Sequence, residues 1–190
     1  MDDKQSLRDR LIGERKNHFA AHGKAAARKL AAHAPALELS KESLIAAYLP
    51  MGSEMDVRPL MAALVAQGHE LCLPVCLAPH APVIFRRYAT GDALAADAMG
   101  IDAPLDEAQT VQPDLVLLPL LGFDASGMRL GRGGGYYDRT LAALRAARRD
   151  IMACGVAFHM QMVDKCPSAP HDQALDAVLT ETGLIRFERD

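Results

Sequence analysis

Residues 114–148 read DLVLLPLLGFDASGMRLGRGGGYYDRTLAALRAAR. The apolar run Leu115-Val116-Leu117-Leu118 is too short for a helix, and Pro113 and Pro119 bound it, which is the pattern of a buried strand. Asp124, Ser126 and Gly127 supply turn chemistry. Glycines at 131, 133, 134 and 135 then suit neither helix nor strand. Leu141 and Leu144, with alanines between, recur at helical spacing and predict a helix ending near Arg149.

Glycines just before a helix allow the backbone to approach a ligand and present its N–H groups, and the helix N-terminus favours an anion. Arg129 and Arg132 flank them with guanidiniums suited to phosphate or carboxylate oxygens. Asp138 offers a carboxylate beside that anion, as a Mg²⁺ bridge requires. Two familiar phosphate loops are excluded. Tyr136-Tyr137 stands where a P-loop needs Lys-Ser/Thr, and position 136 lacks the third glycine of a dinucleotide fingerprint. A lone Gly-rich loop would equally be a flexible surface loop with solvated arginines, and the charge pattern around this one weighs against that alternative.

Outward from this stretch, the pattern is one strand after another, each followed by a helix or loop. A long alanine-rich helix is expected from Asp3 to His33, interrupted at most by a kink at Gly13 or Gly23, with Leu7, Leu11 and Leu30 on its apolar stripe. Lys4 and Arg8 share a face, either as a solvated charge pair or as two ligands to one anion. Ser43–Leu49 reads as a strand and Met51–Asp56 as a loop. Val57–Gln67 reads as a helix with Pro59 in its first turn, Asp56 as cap and Gly68 at its end. Leu71–Cys76 reads as a strand that Pro74 makes short or places at an edge, and Val83–Tyr88 as a third strand. Residues 89–113 predict little beyond a turn of helix, and Ile151–Phe158 a final apolar strand. The expected class is α/β, a single domain over 1–190 with three α/β/α layers, a mostly parallel central sheet and a long N-terminal helix. In such sheets ligands gather at the carboxyl ends of strands, where Leu49, Met51 and Glu54 fall.

Half of the 190 residues are hydrophobic and the net charge is −3, which argues against disorder and against a nucleic-acid surface. No stretch approaches membrane-spanning length and no signal-peptide core opens the chain, so a cytoplasmic protein is expected. Cys72, Cys76, Cys154 and Cys166 lack metal-binding spacing and read as buried free thiols.

Leu130–Arg139, with Phe123-Asp124 and Gly127-Met128-Arg129 before it, resembles the signature of the 5-formyltetrahydrofolate cyclo-ligase (5,10-methenyltetrahydrofolate synthetase) family. The likeness extends to the basic opening helix, the strand-loop-Glu54 segment, and His171-Asp172 followed by Leu175-Asp176. Met99–Pro104 follows the family's Gly-Ile-x-x-Pro segment with departures at Met99 and Ala103. The resemblance implies an enzyme converting 5-formyltetrahydrofolate to 5,10-methenyltetrahydrofolate with ATP and Mg²⁺, through a phosphorylated formyl group. It assigns Lys4, Arg8, Arg129, Arg132, the Gly131, Gly133, Gly134 and Gly135 amides, Tyr136 and Tyr137 to ATP. Leu49, Met51, Glu54, Arg132 and Tyr136 would hold the folate, with or without a polyglutamate tail. Arg129, Arg132 and Tyr136 would act in catalysis, and Asp138 and Asp172 would bind Mg²⁺. A monomer acting on a small molecule, with no nucleic-acid or membrane partner, is the expectation. A non-catalytic folate- or nucleotide-binding protein of the same fold is the alternative. A sugar-phosphate or coenzyme A enzyme of similar architecture is a third reading.

Overall fold

The computed structural model describes residues 4–147 and 150–188. The expected helix start at Asp3 and helix end near Arg149 lie outside the described residues. In chain order the elements are α1 (Lys4–Ala32), β1 (Leu44–Ala46), α2 (Arg58–Ala66), β2 (Glu70–Val75), β3 (Ile84–Tyr88), β4 (Leu94–Ala96), β5 (Asp102–Pro104) and β6 (Thr110–Val111). There follow β7 (Leu115–Pro119), β8 (Gly122–Phe123), β9 (Arg129–Leu130), α3 (Tyr136–Ala147), β10 (Met152–Val156), β11 (Ala177–Thr180) and β12 (Gly183–Arg186).

The main sheet runs β12-β11-β10-β7-β1-β2-β3-β6. Its inner strands β11, β10, β7, β1 and β2 are parallel neighbours, and β12, β3 and β6 add antiparallel margins. From β1 the chain moves outward to β2, β3 and β6, then returns to lay β7 on the other side of β1 and proceeds the opposite way. The β1–β7 boundary is therefore a topological switch point, where the loops leaving two adjacent parallel strands diverge and open a crevice.

Alternation along the strands divides the core. Ile45, Leu71, Leu115 and Leu117 meet Ala26 and Leu30 of α1 and Leu60 and Leu64 of α2. Ala46, Cys72, Val116 and Leu118 meet Leu141 of α3, with Leu144 packed alongside. Each fully buried leucine contributes roughly 1.5–3 kcal/mol relative to exposure, so the two clusters hold helices firmly to both faces. A third cluster, Leu7, Leu11, Leu121, Leu130 and Cys166, fastens the first half of α1 to the β8–β9 hairpin. The approach is close: a Cβ at Gly122 would stand 2.8 Å from Leu11 Cδ1. This contact carries the basic end of α1 to the switch point.

Several expectations change. The strand expected over Ser43–Leu49 is confined to Leu44–Ala46, and Tyr48 instead donates its hydroxyl to the Met55 carbonyl at 2.8 Å, closing the following loop. Asp56 is not the cap of α2. That position is Val57, and Asp56 Oδ1 accepts from the Arg58 backbone N–H at 3.1 Å one residue earlier. β2 lies inside the sheet despite Pro74, because its pairing with β1 ends at Cys72 and no β1 donor or acceptor is opposite the proline. The stretch 89–113 holds no helical turn; β4 and β5 form a small antiparallel pair and β6 joins β3. α1 runs from Lys4 to Ala32 as one α-helix through Gly13 and Gly23.

All four cysteines are buried and free. Burial pushes the Cys72, Cys154 and Cys166 thiols up to about 12, so they stay protonated and inert at neutral pH. No helix among the described residues is long and apolar enough to cross a membrane.

Candidate functional site

The crevice at the switch point is a cleft of about 400 Å³. Tyr48, Leu49, Met51 and Glu54 approach it from the loop after β1, and Leu120 and Leu121 from the turn after β7. Lys4, Arg8 and Arg15 descend from α1, and residues 129–138 form the opposite wall. Ile101 and Asp102 contribute from the β4–β5 pair, and His171 and Asp172 from the loop before β11. Every residue singled out from the sequence for ATP, folate or Mg²⁺ lines this one cleft.

The glycine loop has the geometry its composition anticipates. Gly133 and Gly135 take φ of +100° and +65°. A Cβ at Gly133 would lie 3.4 Å from Arg8 Cζ, and one at Gly135 would lie 2.8 Å from Arg139 Nη1. Arg8 Nε donates to the Gly131 carbonyl at 3.0 Å, tying α1 to the loop, and Arg139 Nη2 donates to the Gly134 carbonyl at 2.6 Å. Gly135 accepts from the Arg139 N–H as α3 begins, so the first amides of that helix have no acceptor within it and border the cleft.

Among the described residues, three ion pairs of a lysine or arginine with a carboxylate cross the cleft or its walls. Lys4 Nζ is 2.9 Å from Asp172 Oδ2, and Arg129 Nη2 is 2.8 Å from Asp138 Oδ1. Arg132 Nη2 is 3.3 Å from Glu54 Oε1, with Arg132 half exposed and Glu54 buried. Glu54 Oε2 also accepts from the Met51 N–H at 2.9 Å, which holds the carboxylate at the cleft wall. Arg129 is nearly buried; its other nitrogen donates to the Gln173 carbonyl, while the Gln173 N–H donates to Asp138 Oδ1 at 3.0 Å. Arg129 and Asp138 are thereby locked into the 171–173 loop.

Tyr136 lies under the Arg139 guanidinium, 5.3 Å from ring centroid to Cζ, and its hydroxyl donates to Met99 Sδ at 3.2 Å. The Met99–Pro104 segment thus meets the loop through Met99, while Ala103 is buried and paired with Ala95. Burial pushes the Tyr137 hydroxyl upward, with a further push from the Glu54 charge, so it is a neutral donor at physiological pH. Tyr48 moves the same way for the same first cause.

Sequence reasoning missed Arg15, Ile101, Asp102 and the leucines of the 120–121 turn. Arg15 carried a usable signal, since 7, 11 and 15 continue one helical stripe and a charge on it must find buried partners. Gln161, which falls within the family's closing pattern, was given no role from the sequence. It is buried and donates to the Leu120 and Leu121 carbonyls at 2.8 and 3.0 Å, fixing the turn that floors the cleft. His159 contacts Thr182 at 3.2 Å outside the cleft, and the His171 side chain is exposed.

No group of three His, Cys, Asp or Glu side chains among the described residues is arranged to hold a metal. Mg²⁺ commonly takes only one or two carboxylates together with phosphate oxygens, and that smaller requirement fits Asp138 and Asp172 at the edge of the anion loop.

A sequence profile of the 5-formyltetrahydrofolate cyclo-ligase family matches residues 1–181. The chain is 34% identical over 191 residues to the 5-formyltetrahydrofolate cyclo-ligase of Mycolicibacterium smegmatis, covering 96% of both chains. It is 34% identical over 142 residues to that of Escherichia coli, covering 72% of this chain and 76% of the relative. The solution structure of Aquifex aeolicus 5,10-methenyltetrahydrofolate synthetase superposes with a TM-score of 0.80 at 27% identity, covering 98% of this chain and 94% of that one.

Proposed function

Because the chain belongs to the 5-formyltetrahydrofolate cyclo-ligase family, and is accordingly a ligase of folate chemistry, we propose that it couples ATP cleavage to closure of 5-formyltetrahydrofolate into 5,10-methenyltetrahydrofolate, releasing ADP and phosphate. The observation that carries this reading is the Arg132–Glu54 contact. It joins the anion loop to the apolar Leu49–Met51 wall, so one ligand's phosphates and another's ring system can meet in one cleft.

The chemistry accounts for the residue types. A formamide oxygen leaves poorly, so it attacks the γ-phosphorus and ADP departs, leaving an imidate phosphate on the formyl carbon. N10 of the folate then adds to that carbon and loses its proton, and the carbon–oxygen bond breaks as inorganic phosphate leaves. Transfer of this kind needs alignment and charge neutralisation more than a protein nucleophile. Lys4, Arg8, Arg129 and the 131–135 amides, with Tyr137 beside them, face the phosphates in this reading. Arg132 and Tyr136 bridge to the formyl group, and Leu49, Met51 and Glu54 orient the folate. Asp138 and Asp172 would hold Mg²⁺, whose charge offsets that of the phosphates. The four buried thiols support a reducing, cytoplasmic setting.

The test is optical. Purified protein is mixed with 5-formyltetrahydrofolate, Mg²⁺ and ATP, and methenyl absorbance is followed, with ATP and Mg²⁺ omitted in turn. Product that requires ATP is expected. No product from a protein that still binds folate or ATP would replace this reading with a non-catalytic binding protein.

A further inference from the structure

Arg15 is a charge without a role in the reaction as assigned above. It occupies a stripe position of α1, four residues after Leu11, and is 3% exposed. Its Nε donates to Ser53 Oγ at 3.2 Å and its Nη1 to the Leu120 carbonyl at 3.1 Å. Ser53 immediately precedes Glu54, and Leu120 immediately follows β7. One guanidinium therefore fastens together the two loops that diverge at the switch point. Leu120 is gripped twice, since Gln161 donates to the same carbonyl.

The polar and charged groups around Glu54 come from four elements. Arg15 reaches from α1 and Arg132 from the glycine loop, while the Tyr48 and Tyr137 hydroxyls approach from the end of β1 and from α3. The two cations differ in kind. Arg132 is half exposed and meets Glu54 through one contact at 3.3 Å. Arg15 is immobilised by its two hydrogen bonds. Burial pulls the Arg15 guanidinium below its ordinary value, and the Glu54 charge acts in the opposite direction. A buried carboxylate that loses its cation is strongly destabilised, so if Arg132 turns to an incoming ligand Glu54 needs a second cation nearby, and Arg15, bonded to the adjoining Ser53, is the one in place.

We propose that Arg15 is a positioning residue for the folate side of the cleft: it holds the Met51–Glu54 loop against the end of β7 and stays as the fixed counter-charge to Glu54 when Arg132 turns to the ligand. This rests on the cleft being the folate and ATP site. In this proposal Arg15 acts through Glu54 and the Met51–Glu54 loop, which separates its effect from that of the phosphate-facing arginines.

The experiment is a double-mutant cycle read by ligand affinity. Arg15→Met, Glu54→Gln, the double variant and Arg15→Lys are titrated calorimetrically with 5-formyltetrahydrofolate and, separately, with ATP and Mg²⁺. Arg15→Met should weaken folate binding roughly ten- to hundredfold, the range for a hydrogen-bonded charge, with a much smaller change for ATP. Arg15→Lys should recover part of the loss. In the Glu54→Gln background the same Arg15→Met change should cost little, the signature of coupling through that carboxylate. Equal losses in both backgrounds, or equal losses for folate and ATP, would overturn the proposal in favour of a purely structural arginine. Should Arg15→Met not fold, Ser53→Ala carries the test: a folate-selective loss supports the proposal and unchanged folate affinity rejects it. Wild-type protein that binds no folate defeats the reading of the cleft itself, before any variant is compared.

Discussion

Lys4 Nζ stands 2.9 Å from Asp172 Oδ2, joining the start of α1 to the loop before β11 across 168 positions of chain. Burial pushes the Asp172 carboxyl up. The hydrogen bonds from Lys4 and the Ala169 N–H, with the Lys4 and His171 charges, outweigh that and leave it below the usual carboxylate range. A carboxyl depressed in the fold contributes stability that is complete above its unfolded value of about 3.9 and is lost as pH falls through the folded value. Lys4 is one-third exposed, so the pair is screened and worth about 1 kcal/mol. Asp172→Asn should therefore lower Tm modestly at pH 7, and the gap from wild type should close as pH falls below about 4. A gap that is the same at pH 3 and pH 7 would show that the charge of Asp172 is not what stabilises the fold.

Arg129→Ala removes a nearly buried guanidinium and leaves Asp138 with only the Gln173 N–H of its two described donors. Turnover or ATP affinity should fall by roughly 2–5 kcal/mol equivalent, the cost of truncating one side of a desolvated charge pair. Arg129→Lys should recover little, since an ammonium cannot make both contacts of the fork. Steady-state kinetics with ATP varied decides it; wild-type values in Arg129→Ala would take the residue out of the phosphate site.

Asp138→Asn keeps the shape of the side chain and removes its charge. The Mg²⁺ concentration giving half-maximal rate should rise, because a neutral amide is a weaker ligand for a hard cation. An unaltered Mg²⁺ titration, at unaltered fold stability, would remove Asp138 from the metal site.

Gly135→Ala meets two obstacles, a φ of +65° and a Cβ placed 2.8 Å from Arg139 Nη1. The left-handed conformation costs an L-residue roughly 1–2 kcal/mol, and Arg139 must also shift off the loop. ATP affinity should drop about tenfold or more for a cost of that size. Gly131→Ala is the control, since a Cβ there has nothing within 4 Å and the backbone needs no positive φ. Equal effects of the two substitutions would contradict the conformational argument.

Much of this site could be read from local chemistry. The Leu115–Leu118 run, the glycines and the helix after them each follow from side-chain type within a few positions, and so does the place of Glu54 beyond a strand end. What escaped depends on partners distant in the chain. Pro74 pointed to an edge, yet β1 is so short that its pairing stops before the proline. The strands β4, β5 and β6 are two or three residues long, too brief for alternation to register. The antiparallel direction of β3 was signalled by the short connection 76–83, which cannot carry a parallel crossover. Arg15 was legible as a charge on the Leu7–Leu11 stripe, but its partners, Ser53 and the Leu120 carbonyl, lie 38 and 105 positions away and only the fold supplies them.

The paired charges in the cleft also determine how an anion is captured. Lys4, Arg129 and Arg132 are each already matched to a carboxylate, in a protein whose net charge is itself negative. Seen from several Debye lengths away, such a crevice casts little attractive field. On the proposed reading, a nucleotide would be drawn in only at contact, by exchanging partners with the resident carboxylates one pair at a time. Ionic strength should then act weakly on the association rate constant and more strongly on residence time, a division that stopped-flow measurements at low and high salt can separate.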